Sequence, residues 1–258
     1  MTTEPIGYGV RRMCIAIDLE HYSRRPDAGQ IEAQRAMVGL VRGAGERGAL
    51  ERAQWLTQEL GDGELALLPP GIDEARVITS LWRELREGLH RYNRHASAAA
   101  RLRMRVAVHE GQTYIADNGF AGDAINTVCR LCDCAEVKDA LSATESDLVL
   151  IVSDRIFDDV IRGYDAHDLP PAAFTKVTIA MPDKGFRAEA YIFSGAGFSP
   201  SAAGAVPEEH AAATPPADVP QQPAQPRGGI SIGSIGSVRD IAETINHHGT
   251  AYHGTGDE

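Results

Sequence analysis

Residues 55–68 read WLTQELGDGELALL. Two short apolar runs, Trp55–Leu60 and Glu64–Leu68, flank Gly61-Asp62-Gly63. An Asp-Gly step between apolar runs is a strong hairpin signal, because glycine takes positive φ at little steric cost. Pro69 and Pro70 end the second run. A hairpin at this point speaks against a simple parallel winding of alternating strands and helices.

The segments around the hairpin fit the same picture. Upstream, Arg12–Leu19 (RMCIAIDL) is β-rich and short enough for a strand. Gln30–Arg47 carries Ile31, Met37, Val38, Leu40 and Val41 on an approximate helical face. Downstream, Asp73–Ala100 reads as one long helix with Val77, Leu81, Leu85 and Leu89 on one side. Leu102–His109 alternates as a strand, Glu110-Gly111 is expected to turn it, and Gln112–Asp117 to return as a second strand. Gly122–Lys138 is expected to be one helix, with Ile125, Val128, Cys129 and Leu131 or Cys132 inward. Leu148–Val152 is a buried strand, and Ser153 caps a short helix whose dipole Asp154 favours. Lys176–Met181 and Ala188–Phe193 form a last hairpin. Hairpins mixed with long helices predict an α+β sandwich, with helices on one face of a mostly antiparallel sheet.

Composition narrows the function. The chain has 258 residues, 43% hydrophobic and 24% charged, which is ordinary globular usage. Lys plus Arg is 25 and Asp plus Glu is 36, a net charge of -11 that repels phosphate backbones and argues against nucleic-acid polymers. No apolar run approaches the roughly 20 residues that span a bilayer. Met1–Val10 lacks the pattern of a secretory signal. Cys129, Cys132 and Cys134 crowd together, with Cys14 apart, which is no disulfide framework. A reduced, cytoplasmic protein without membrane attachment is expected. The three clustered cysteines read as structural, since a zinc site needs four ligands and no paired Cys or His knuckle is near. Trp55, Trp82 and His109 read as packed residues.

The composition shifts near residue 198. Seven of the fourteen prolines fall between Ser199 and Arg227, with almost no large apolar residue. The division expected is a folded domain at 8–196, a disordered Pro/Ala-rich linker at 197–227, and a Gly/Ile tail at 228–258. The tail opens GGISIGSIG, whose Ile230-Ser231-Ile232-Gly233 faintly resembles the core of RHIM-like amyloid signalling motifs. Such a segment can add to a sheet edge and recruit a protein partner, or remain a disordered tail.

Two aspartates stand out by position. Asp18 ends the first apolar strand, and Asp62 sits at the hairpin tip. If those strands are neighbours, both carboxylates meet at one sheet edge. Hard cations such as Mg²⁺ take such oxygen ligands together with substrate phosphates. The plainer reading of Asp62 is an Asp-Gly turn.

The order of four segments resembles a class III nucleotidyl cyclase catalytic domain. They are CIAIDLEHYS at Cys14–Ser23, LGDGELAL at Leu60–Leu67, RMRVAVHEG at Arg103–Gly111, and FAGDAINTVCRL at Phe120–Leu131. The resemblance implies a ferredoxin-like α+β sandwich that makes a cyclic mononucleotide and pyrophosphate from a nucleoside triphosphate. It implies two metal ions, Mg²⁺ or Mn²⁺, on Asp18, Asp62 and the carbonyl of Leu19. It implies transition-state roles for Asn126 and Arg130, which share a helix face four residues apart. It also implies a head-to-tail homodimer with shared active sites, the aspartates coming from one protomer and Asn126 and Arg130 from the other. Lys184 is nearest to the expected triphosphate lysine, and Ser23 either contacts phosphates or ends a loop.

The sequence departs from the family where bases are chosen. Gln58 stands where adenylyl cyclases carry a lysine, and Gly119 where they carry a base-reading aspartate. The Glu and Cys pair typical of guanylyl cyclases is absent too. Similar departures occur among bacterial pyrimidine cyclases. The alternative is a non-catalytic module of the same fold that dimerises or binds a nucleotide, and recruits a partner through its tail.

Overall fold

The structure is a computed structural model that describes residues 8–164 and 167–195. The expected linker at 197–227 and tail at 228–258 lie outside the described residues. Eight strands form one sheet: β1 Val10–Leu19, β2 Leu56–Glu59, β3 Gly63–Leu67, β4 Met104–Ala116, β5 Gly119–Ala121, β6 Leu148–Ser153, β7 Thr175–Met181 and β8 Phe186–Phe193. Their order is β2-β3-β1-β4-β6-β8-β7, with β5 paired to β4. Only β4 and β6 run parallel; the other pairs are antiparallel. The main helices are α1 Asp27–Arg47, α2 Glu74–Asn93, α3 Asp123–Asp133 and α4 Ala135–Ser142. The unit β1-α1-β2-β3-α2-β4, ordered β2-β3-β1-β4, is a ferredoxin-like arrangement within an α+β sandwich.

Strand alternation sorts the core into two layers. Met13, Ile15, Ile17 and Leu19 of β1 face α1 and α2. Cys14 and Ala16 face α3 and α4 on the opposite side. Helices therefore cover both faces, not the single face expected. The reason is visible in β1 and β6, which are apolar on both faces and need cover on each.

Several local readings change. In α1 the inward residues are Ala33, Met37, Val41 and Ala44, while Ile31 is 57% exposed. The small Ala33 and Ala44 leave room for close packing that bulkier side chains would fill. Helix α2 is capped by Asp73, whose carboxylate accepts from the Arg76 N–H at 3.0 Å. It stops at Asn93 and not at Ala100. There the Asn93 amide donates to the Leu102 carbonyl at 2.7 Å and accepts from the Leu102 N–H at 2.9 Å. This pair ties the chain leaving α2 to the segment that enters β4.

Glu110-Gly111 is not a turn. Strand β4 runs unbroken for 13 residues because β1 pairs with it from Leu19↔Met104 to Val10↔Thr113. Gly111 is needed there for space: a Cβ would lie 2.9 Å from the Ala124 Cβ of α3. The chain reverses later, at Asp117-Asn118, into the short β5. The expected single helix from Gly122 to Lys138 is two, because Cys134 is extended (ψ 156°) and its thiol bonds the Leu131 carbonyl at 3.2 Å. Ser153 caps the short helix Asp154–Ile156 as expected, its Oγ accepting from the Ile156 N–H. No helix among the described residues is long and apolar enough to cross a membrane.

Candidate active site

The β2–β3 turn and the end of β1 are built into each other. In register, Asp18 stands opposite Gly63 of β3 on one side and Arg105 of β4 on the other. The Leu19 N–H donates to the Asp62 carbonyl at 3.0 Å, and the Leu60 N–H to the Gly63 carbonyl at 2.9 Å. Gly61 takes φ +79° to make the turn. A Cβ on Gly63 would lie 2.3 Å from the Ile17 carbonyl oxygen, so only glycine lets the hairpin approach β1 this closely. These contacts gather Asp18, Leu19 and Asp62 at one sheet edge.

The electrostatics there are unusual. Burial pushes the Asp18 carboxyl up to about 6, against the opposing pull of Arg105 and with help from the Asp62 charge. Burial also raises Asp62 above the usual carboxylate range. In both, the Arg105 charge offsets only part of the effect of burial. Arg105 forms an ion pair with Asp18, and its Nε has no hydrogen-bond partner. The site offers two carboxylates and a nearby backbone, a hard-oxygen donor set that suits Mg²⁺ or Mn²⁺. No three His, Cys, Asp or Glu side chains among the described residues lie together as a metal cage.

Arg105 is a site residue that the sequence reading missed. Its signal was available: it is a charged residue inside the apolar run of β4, where it is only 8% exposed. Arginine is rarely buried unless it is paired.

The helix residues form a second group. Asn126 is exposed and Arg130 half-buried on α3. The Arg130 guanidinium lies 5.0 Å from the centre of the Phe186 ring, at the start of β8. Phe186 follows the turn Pro182–Lys184, so exposed Lys184 belongs to the same end of that hairpin. No hydrogen bond or ion pair among the described residues joins Asn126 or Arg130 to Asp18 or Asp62. Ser23 is exposed in the turn Tyr22–Arg24 after β1.

Gln58 and Gly119 come together as a third group. A Cβ on Gly119 would lie 2.4 Å from the Gln58 Oε1, so the carboxamide occupies the place of a side chain there. Gly119 also takes φ +98°, a conformation that strains other residues.

The remaining candidates are structural. Cys14, Cys132 and Cys134 are buried free thiols, and burial raises all three along with half-buried Cys129. Trp55 and Trp82 are buried in the core. The half-buried His109 shares a 2.9 Å hydrogen bond between its Nδ1 and the Ser153 Oγ.

Many solved structures are similar, among them the following three. The guanylyl cyclase Cya2 matches with a TM-score of 0.52 at 15% identity, covering 72% of this chain and 91% of that one. An adenylate/guanylate cyclase/hydrolase from Silicibacter pomeroyi matches with a TM-score of 0.49 at 16% identity, covering 72% and 98%. A bacterial light-regulated adenylyl cyclase matches with a TM-score of 0.49 at 13% identity, covering 74% and 93%. No family model matches the sequence, and no curated protein does.

Proposed function

On a chain that carries the fold of class III nucleotidyl cyclase catalytic domains, we propose that the protein is itself a nucleotidyl cyclase. It converts a nucleoside triphosphate to a cyclic mononucleotide and pyrophosphate, as a cytoplasmic homodimer that serves signalling. One observation carries this reading. Asp18 and Asp62 converge at one sheet edge, while among the described residues no hydrogen bond or ion pair joins Asn126 or Arg130 of α3 to either of them.

Asp18, Asp62 and the Leu19 carbonyl would hold two divalent cations, Mg²⁺ or Mn²⁺. When bound, such ions supply the positive charge that acidifies the ribose 3′-hydroxyl and neutralises the triphosphate. Arg105 fixes the orientation of Asp18. From the second protomer, Asn126 orients the ribose and Arg130 covers charge developing on the α-phosphoryl group. The 3′-hydroxyl gives its proton to solvent, its oxygen attacks the α-phosphorus in line, the bond to the β-phosphate oxygen breaks, and pyrophosphate leaves. Positioning and charge stabilisation supply most of the catalysis in such transfers. Lys184 and Ser23 contact the triphosphate, and Gln58 lies against Gly119 on the base side.

The test is incubation of the purified chain with each of the four triphosphates and Mn²⁺, with products identified by mass spectrometry. A cyclic mononucleotide is expected from at least one. Its absence in all four, from a folded dimer, overturns the assignment. The result would favour the second reading, a nucleotide-binding or dimerisation module that recruits a protein through residues 228–258. Gln58 and Gly119 favour that module, since together they place neither an acid nor a base beside the nucleobase.

A further inference from the structure

We propose that Arg103, just before β4, is a positioning residue for the metal site: it fixes the peptide unit whose carbonyl, that of Leu19, faces the Asp62 turn. The inference deepens the cyclase reading of the Asp18–Asp62 edge and rests on it.

The backbone sets the starting point. Glu20 follows β1, and its N–H donates to the Arg103 carbonyl at 2.9 Å. A trans peptide is planar, so the Leu19 carbonyl of that unit points the opposite way from the Glu20 N–H. Strand β4 lies on one side of β1 and β3 on the other. The carbonyl therefore faces the β3 side, where the Leu19 N–H donates to the Asp62 carbonyl at 3.0 Å.

The Arg103 side chain supplies a second hold on the same peptide. Its Nη1 donates to the Glu20 carboxylate at 3.1 Å. Glu20 is only 8% exposed, and a buried carboxylate needs a partner. The other side of the guanidinium is anchored. Its Nη2 lies within hydrogen-bond reach of the carbonyls of Thr144 at 2.8 Å and Ser146 at 3.0 Å, and of Leu141 in the last turn of α4. One rigid fork thus satisfies a helix-end carbonyl and holds the residue that follows Leu19.

A plain structural tie lies next to it. Arg101 pairs with Asp147 at 2.7 Å, holding the same α4–β6 connection with no hydrogen bond or ion pair to Glu20 among the described residues. The two arginines separate positioning from charge. Loss of a positive charge by itself favours binding of a cation. Loss of Arg103 also leaves the Glu20 carboxylate buried without its arginine, so it turns toward water and draws the Leu19–Glu20 peptide with it. Positioning and charge therefore predict opposite signs at Arg103.

The experiment is a Mn²⁺ titration of the full chain, with free aqueous Mn²⁺ read by electron paramagnetic resonance, well below the melting temperature of each variant. Arg103→Met should weaken binding about tenfold, as the loss of residues that orient metal ligands does. Arg103→Lys keeps the charge but not the fork, and should weaken binding by a smaller factor. It carries the test if Arg103→Met does not fold. Arg101→Met should leave the affinity unchanged or raise it. Asp62→Asn should abolish binding. If Asp62→Asn removes binding while the folded Arg103 variants leave it unchanged or tighten it, the positioning role is wrong and the metal site stands. If Arg101→Met weakens binding as much as Arg103→Lys, a loosened connection is the cause, and the positioning role is again wrong. If Asp62→Asn leaves Mn²⁺ binding intact, the metal site falls, and the positioning role with it.

Discussion

The two halves of the candidate site are built in opposite ways. The carboxylate half is pinned by strand register, two backbone hydrogen bonds and a glycine that no other residue can replace. The α3 half presents exposed Asn126 and half-buried Arg130, with one ring contact and no ion pair among the described residues. A pinned half can be complete in one chain. An outward half needs a surface to meet. On the proposed cyclase reading, the contrast separates two tasks: folding fixes the carboxylate half, and association with a second copy would complete the site.

The sharpest way to break that comparison is complementation. Asp62→Asn and Arg130→Ala should each lower turnover by at least about 10³-fold, as losses of transition-state stabilisation do. Neither should change the melting temperature by more than a few degrees. Mixing the two inactive variants should restore part of the activity, because one composite site per heterodimer stays intact. No recovery in a mixture shown to exchange subunits would place both halves in one chain.

Gly63→Ala attacks the pinned half through its backbone. The added methyl meets the Ile17 carbonyl, which cannot move without breaking the β1–β3 ladder. Denaturant titration should show a loss of about 2–4 kcal/mol, in the range of severe core and backbone defects. An unchanged midpoint would mean that the hairpin is not clamped to β1.

The base side should sit between the two. Without a lysine at Gln58 or an acid at Gly119, the site lacks the groups that give 10⁴–10⁵-fold rejection of a wrong base. Competition assays should therefore show no such margin for ATP over the other three triphosphates. Gly119→Ala should cost about 1 kcal/mol, since its φ is positive and the Gln58 amide stands in the way.

The smallest effect concerns pH and the middle of β4. Burial lowers His109 below its ordinary value of 6.5. The folded state thus favours neutral imidazole, and its contribution is present above the unfolded pKa. It is lost as pH falls through 6.5 toward the lowered folded value. His109→Gln should therefore flatten the loss of stability between pH 7.5 and 5.5, as read by urea midpoints. A slope that matches the wild type would show that His109 is not held neutral.

Much of this site was legible from local pattern. Asp18 at the end of an apolar strand and Asp62 in a Gly-Asp-Gly turn are both short-range features, and Asp62 needed only the hairpin to be real. Arg105 was missed because a charged residue in an alternating strand reads as solvent-facing until helices on the other face are known. The turn expected at Glu110-Gly111 failed for a related reason. Glycine there makes room for Ala124 of α3, which packs on the sheet at that point, and no local pattern announces that contact.

The sequence by itself determined most strands and helices, the Asp-Gly hairpin and the residue types at the carboxylate edge, because turns, caps and alternation are set by neighbours in the chain. Tertiary structure decided which strands lie side by side, that both faces of the sheet are covered, that Gln58 fills the space beside Gly119, and that the Cys132 thiol of α3 rests on the carbonyls of Ala16 and Arg105. Those facts depend on backbone approach between segments tens of residues apart, where small volumes and register, and not local preference, select the arrangement.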